Sequence, residues 1–253
     1  MDIFKAAERG DFEVFRDLVE EGADLLGVNK YGKPIIFIAI ERNRLEIIDF
    51  LLQSDSEGKQ LELIYKDDTP VKYALKHDRC NIVAKFFNHD TSLSAKLDEW
   101  GDTLLTAAIY NKEDEHVKCL VPISDLDATD KYGNSPLMKA IWEANVKAMY
   151  ELFSKGGVDK NEASLKHGDT TLTQALYMQD SNPANGETVL AFLFKICVDP
   201  FALNARDESP REVAKKLDNR DIENRLLEYI KSNDCAGDYD KLPGSDLVFG
   251  DNG

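Results

Sequence analysis

The sequence predicts an all-α solenoid of about seven helix-turn-helix units, terminal caps included. Three observations lead there. The phrase Asp130-Lys131-Tyr132-Gly133-Asn134-Ser135-Pro136-Leu137-Met138-Lys139-Ala140 returns in diluted copies along the chain. The alanines that close the copies, Ala6, Ala39, Ala74, Ala108, Ala140, Ala175 and Ala214, stand 33, 35, 34, 32, 35 and 39 residues apart. Each copy also follows one local grammar of turn, helix cap and helix. A period of this size marks a stack whose units bury their apolar faces against their neighbours.

The first unit, near 1–28, lacks the turn phrase and enters at Asp2-Ile3-Phe4-Lys5-Ala6-Ala7, as an end cap would. The second, near 29–63, has its turn at Gly32 but reads Lys33-Pro34-Ile35-Ile36 where other units carry Thr-Pro. Its outer helix is the clearest, with Leu45, Ile47, Ile48, Leu51 and Leu52 at helical spacing. The third, near 64–97, places Asp67 where the turn glycine stands, then runs Asp68-Thr69-Pro70-Val71-Lys72-Tyr73-Ala74 into Ile82-Val83-Phe86-Phe87. Residues 54–66 lengthen the connection before it. The fourth, near 98–129, carries Gly101-Asp102-Thr103-Leu104-Leu105-Thr106-Ala107-Ala108. The fifth, near 130–164, holds the fullest phrase and an outer helix with Val146, Met149, Leu152 and Phe153. The sixth, near 165–203, carries Gly168-Asp169-Thr170-Thr171-Leu172-Thr173-Gln174-Ala175. Its insertion, 179–186, reads as a loop separating its two helices, either a tolerated surface insertion or a second contact site. The seventh, near 204–231, has Asp207-Glu208-Ser209-Pro210-Arg211-Glu212-Val213-Ala214 and a polar closing helix over about 221–230.

Within the phrase, Gly32, Gly101, Gly133 and Gly168 sit where a tight turn needs positive φ. Thr69, Thr103, Ser135, Thr170 and Ser209 are placed to cap helix N-termini. Pro70, Pro136 and Pro210 follow at the first helical position, where a missing N–H costs nothing. Gly22 and Gly156-Gly157 are expected to stop outer helices.

The period and the Gly-x-Thr-Pro-Leu-x-x-Ala core resemble the ankyrin repeat family over roughly residues 1–231. The resemblance implies an ankyrin-repeat solenoid that binds proteins through a concave groove of turn fingers and inner helices. It also exposes a departure. The position that carries histidine in the family holds Phe37, Lys72, Thr106, Met138, Thr173 or Glu212, so the polar network which that histidine builds between turns is not expected. Carried onto this chain, the groove takes its fingertips from around Tyr31, Trp100, Tyr132 and the pair Lys166 and His167. Its inner wall comes from Arg42, His77, Tyr110, Trp142 and Tyr177. Trp100, Tyr110, Tyr132, Trp142 and Tyr177 are expected to form an aromatic strip across the fourth to sixth units, of the residue types that dominate interface hot spots. For Tyr31 and Tyr132, packing against a neighbouring finger stands as an open alternative.

Charge and composition narrow the partner. The net formal charge of −16 has the wrong sign for a nucleic-acid binder or an anionic membrane. It suits a basic protein partner, or solubility alone. No signal peptide or membrane-spanning run is read, so a cytoplasmic protein is expected, in its own cell or, for a secreted effector, in a host cell. Cys80, Cys119, Cys197 and Cys235 form no Cys-x-x-Cys pair. They read as thiols in a reducing interior, the first three as small packing residues. His77, His89, His116 and His167 stand singly, and no nucleophile elbow or phosphate loop occurs, so neither catalysis nor a cofactor nor a metal is expected. Residues 232–253 read as an acidic flexible tail. A docking peptide at Leu242-Pro243-Gly244 to Leu247-Val248-Phe249, or a C-terminal secretion signal, remains an alternative. The functional expectation is a monomeric, non-catalytic interaction module, or else an inhibitor, immunity-type antagonist or bacterial effector that occludes its target.

Overall fold

The grammar of turn, cap and helix decides the architecture of the computed structural model, which describes residues 1–95, 97–161, 163 and 168–232. Among these residues there are fifteen α-helices, and β-structure is confined to isolated bridges. The helices form antiparallel pairs. The first two pairs are α1 (Ile3–Arg9) with α2 (Phe12–Glu20) and α3 (Ile35–Glu41) with α4 (Leu45–Gln53). A single turn, α5 (Lys59–Glu62), occupies the long connection that follows. Then come α6 (Pro70–Lys76) with α7 (Cys80–His89), α8 (Leu104–Tyr110) with α9 (Asp114–Leu120), and α10 (Pro136–Trp142) with α11 (Val146–Glu151). The series ends with α12 (Thr171–Ser181) against α13 (Pro183–Lys195) and α14 (Pro210–Lys216) against α15 (Arg220–Ser232). The first helices of the pairs make an inner layer, and the second helices an outer layer.

Local chemistry starts the inner helices where the sequence indicates. The side chains of Thr69, Thr103, Ser135, Thr170 and Ser209 each accept the N–H of the residue three positions on. Each such cap is worth about 1 kcal/mol. All seven closing alanines are buried, so inner and outer helices meet across a methyl group. Four residues past each closing alanine the chain turns through the left-handed region at Gly10, Asn43, Asp78, Lys112, Ala144 and Asp218. This residue ends the inner helix and reverses the chain. Between the layers lies one continuous core, with Phe15, Phe37, Phe86, Ile47, Ile48 and Leu51 among its fully buried side chains.

Three expectations need correction. The insertion at 179–186 is helix, not a loop: α12 runs on to Ser181, α13 begins at Pro183, and only Asn182 lies between. Gln179, at the position where six other units turn left-handed, stays helical. Pro183 sits at the first turn of α13, where its ring is tolerated, and Asn182 caps that helix by accepting the Asn185 N–H. Gly186 then lets α13 cross close over α12 at Gln179.

The second correction concerns the thiols. Cys80 and Cys119 are not independent packing residues but a disulfide between α7 and α9, their Cα atoms 5.4 Å apart. Cys80 is exposed, whereas Cys119 is buried. Third, the closing helix is longer than expected, and Ser232 belongs to it. Residues 233–253, including Cys235 and the Leu-Pro-Gly segment, lie outside the described residues, as do Lys166 and His167.

At three of these positions the residue that stands in for the family histidine bonds within its own helix start. Thr106 Oγ1 donates back to the Thr103 carbonyl at 3.2 Å, and Thr173 Oγ1 does the same to Thr170 at 3.1 Å. Glu212 closes a capping box with Ser209. Phe37 and Met138 are simply buried.

Candidate functional site

Fingers and inner helices together build the surface that the sequence singles out. An Asn or Asp opens most fingers. Asn29 Oδ1 accepts the N–H groups of Tyr31 and Lys33, at 2.9 and 3.0 Å. Asp98 does the same for Trp100 and Asp102, Asp130 for Tyr132 and Asn134, and Asn204 for Arg206 and Glu208. One carboxylate or amide oxygen thereby fixes the backbone beneath each fingertip side chain. The third finger differs. Lys66 and Asp67 both take positive φ between the paired Tyr65 and Asp68, the geometry of a tight two-residue hairpin.

Of the expected contact residues, four stand exposed on two consecutive units. Trp100 and Tyr132 project from consecutive fingers, and Tyr110 and Trp142 from the inner helices behind them; all four are exposed. Lys139 on α10 lies beside one of them, its ammonium 5.0 Å from the Tyr110 ring centroid. That ammonium also lies 3.3 Å from Asp102 Oδ1 and 3.8 Å from Asp130 Oδ2. Between the two fingers, the Lys131 N–H donates to the Gly101 carbonyl at 2.7 Å. A Cβ at Gly101 would sit 2.3 Å from the Lys131 side chain, so only glycine admits this approach.

The other expected residues stand apart. Tyr177 is half-buried, its hydroxyl accepting from Arg206 at 3.1 Å. Arg42 pairs with Glu8 at 2.6 Å, across the first two helix pairs. His77 lies against the Tyr73 ring, centroids 4.4 Å apart. Tyr31 is the most exposed of the set, at 73%, but belongs to the second unit's finger, away from the strip.

Sequence reasoning missed Lys139 and the polar clusters at either end. One joins Lys33, Glu41 and Tyr73. Lys33 pairs with Glu41, and the Tyr73 hydroxyl donates to Glu41 Oε2 at 3.2 Å. The hydrogen bond from Lys33 holds Glu41 below the usual carboxylate range. Burial works to lower the Lys33 ammonium, but its bonds to Glu41 and Tyr73 outweigh this and raise it. The other cluster centres on Glu208, pulled down to about 2 by Lys216 first, then by Asn204 and Arg206. A signal for Lys139 was present. It stands immediately before a closing alanine, the same register that holds Tyr73 two units earlier.

Beside Trp100 a second feature opens. A cleft of about 560 Å³ lies between α6 and α8, lined by Leu61, Val71, Leu75, Leu93, Leu97 and Leu104, with acidic residues at its rim. Among the described residues no group of histidine, cysteine and carboxylate side chains could hold a metal ion. Nor is any described helix long and apolar enough to cross a membrane.

A family model described as ankyrin repeats (3 copies) matches residues 3–96 and 81–164. An ankyrin repeat domain-containing protein, oryK, of Aspergillus oryzae is 27% identical over 122 residues, which is 46% of this chain and 20% of that protein. The chain thus spans a fifth of the length of that curated relative. Among solved structures, the ankyrin repeat domain of Bcl-3, a member of the IkappaB protein family, superposes with a TM-score of 0.55 at 19% identity. It covers 90% of this chain and 98% of that one. An ankyrin repeat protein from Leishmania major gives 0.54 at 20% identity, covering 90% and 80%. At these identities the solved structures speak for the fold alone.

Proposed function

Because the chain belongs to the ankyrin repeat family, whose repeats generally serve protein–protein interaction, we propose that it is a non-catalytic module that binds a basic protein partner through its finger-lined face. The observation that carries this reading is the exposed quartet of Trp100, Tyr110, Tyr132 and Trp142 on two consecutive helix pairs. Large aromatic side chains left in water on a rigid frame are what interface hot spots are made from. The framing supports it. Asp98 and Asp130 hold the two fingertips, and Lys139 links Asp102 of one finger to Asp130 of the next, so little ordering is left to a partner. A net charge of −16 favours fast encounter with a basic surface.

The test is alanine at Trp142 and at Tyr110, each expected to weaken binding of a captured partner by about 2 kcal/mol or more, or roughly thirtyfold. Both side chains are exposed, so helical circular dichroism should stay unchanged. Undiminished binding by both variants rules out this face.

A further inference from the structure

Neighbouring helix pairs are tied by a repeated device. At three junctions the residue that opens the outer helix sends a side-chain donor back to the inner helix of the preceding pair. Arg44 donates to the Glu8 carbonyl at 2.9 Å, and Arg79 to the carbonyls of Ile40 and Glu41 at 3.4 and 3.2 Å. Asn145 donates to the Ile109 carbonyl at 3.1 Å. At the junction between α6–α7 and α8–α9 the same register holds Glu113, whose carboxylate has no proton to give. It pairs instead with His116 of its own helix.

That junction differs in two further respects. Among the described residues, no hydrogen bond or ion pair crosses it. Its inner helices, α6 and α8, also pack more sparsely than any other neighbouring inner pair, leaving the cleft between them. What does cross it is the Cys80–Cys119 disulfide, which joins the two outer helices behind the cleft.

We propose that Cys80 and Cys119 are a thiol-exchange site whose redox state decides whether the stack behaves as one body or as two blocks meeting at this junction. The chemistry needs only a low-molecular-weight thiol. Its thiolate attacks the sulfur of Cys80, the exposed partner, and the S–S bond breaks. Cys119 leaves as a thiolate and takes up a proton. A second thiol then resolves the mixed disulfide on Cys80. Two thiols are oxidised to one disulfide, and the two cysteines gain two electrons and two protons. With the brace cut, the junction keeps apolar packing but no polar link among the described residues, and a solenoid divides where its interface is weakest.

The two tryptophans, Trp100 and Trp142, both lie beyond the junction. Their emission therefore reports the C-terminal block, while far-ultraviolet dichroism reports the whole chain. In urea the oxidised protein should show coincident transitions by both probes. Reduction with a phosphine should separate the midpoints, and the double variant Cys80→Ser with Cys119→Ser should reproduce the separation without reductant. Adding Glu113→Arg to that double variant, which restores the donor found at Arg44 and Arg79, should bring the midpoints back together. Coincident transitions in the reduced protein would overturn the proposal. So would a separation that persists in the triple variant carrying Glu113→Arg, or failure of peptide mapping to find the Cys80–Cys119 link after mild oxidation. These readouts concern folding alone and stand apart from whether the aromatic face binds a partner.

Discussion

Gly186 offers the sharpest test of how the sixth helix pair is packed, because two effects oppose each other there. It lies inside α13, where alanine in place of glycine normally stabilises a helix by about 1 kcal/mol. Its φ is not in the left-handed region, so the backbone itself would accept the change. The obstacle is the neighbour. A Cβ at 186 would fall 2.2 Å from the Cα and 2.3 Å from the amide nitrogen of Gln179 on α12. Backbone atoms cannot rotate aside as a side-chain end can, so the two helices must separate. Overpacking of this kind costs about 1–3 kcal/mol, rising where the obstacle is rigid. With a rigid backbone obstacle putting the cost near the upper figure, about 3 kcal/mol, Gly186→Ala should destabilise by about 2 kcal/mol once the helix propensity is offset. Urea unfolding of the oxidised protein reads this as a lower midpoint at unchanged slope. Thr188→Ala, an exposed change two residues on in the same helix that no backbone obstructs, serves as control and should not lower the midpoint. A Gly186→Ala protein as stable as the parent, or more so, means that the insertion does not form the close crossing described.

Two further outcomes follow from the backbone and from charge. Lys112 is exposed and held at φ 57° to reverse the chain between α8 and α9, so Lys112→Gly should raise stability by up to about 1 kcal/mol, measured as a higher urea midpoint. Glu208 is held at about 2, below its ordinary value, chiefly by Lys216. A depressed carboxylate contributes stability above its unfolded value and loses it as pH falls through the folded one. Protection of α14 amides from hydrogen exchange should therefore decline as pH drops from the ordinary glutamate range toward 2, and Glu208→Gln should remove that decline.

What the sequence made legible was whatever is decided locally. A Thr or Ser in this place of the phrase caps and starts a helix within four residues, so all five caps are readable from the residues alone. Asp67 and Asp207, which stand where glycine is usual, still adopt positive φ, as their position in the phrase requires. Features that depend on what lies one unit away were hidden. Pro183 and Gly186 look like loop residues in isolation. They are helical because Pro183 falls on a first turn and Gly186 on a helix crossing. Cys80 and Cys119 are separated by 39 residues, which says nothing until that distance is recognised as about one period plus part of a helix. Lys139 looked like one lysine among many, and only the fold sets Asp102, Asp130 and Tyr110 around its ammonium. Exposure of the four aromatics was legible because fingertips and inner-helix ends have a fixed register. The involvement of Arg42 with Glu8, and of Tyr177 with Arg206, was not, since each depends on a neighbouring unit's side chains.

The junction at Glu113 divides the expected contact residues into two mechanical groups. Tyr31, Arg42 and His77 lie on its N-terminal side, while Tyr110, Tyr132 and Trp142 lie beyond it. Trp100 belongs to the second group even though its finger borders the cleft. Asp98 fixes its backbone, and the Gly101 carbonyl accepts the Lys131 N–H of the next finger. The fourth and fifth pairs are further bound by Asn145 to Ile109 and by Lys147 to Asp114 at 2.7 Å. The aromatic quartet therefore moves as a unit whatever happens at the brace. A partner that uses only the quartet meets the same surface in either redox state. One that also reaches Tyr31 or His77 spans a junction that the disulfide braces, and its affinity is coupled to that bond through the spacing of α6 and α8. Redox sensitivity of binding thus measures how far along the stack a partner extends.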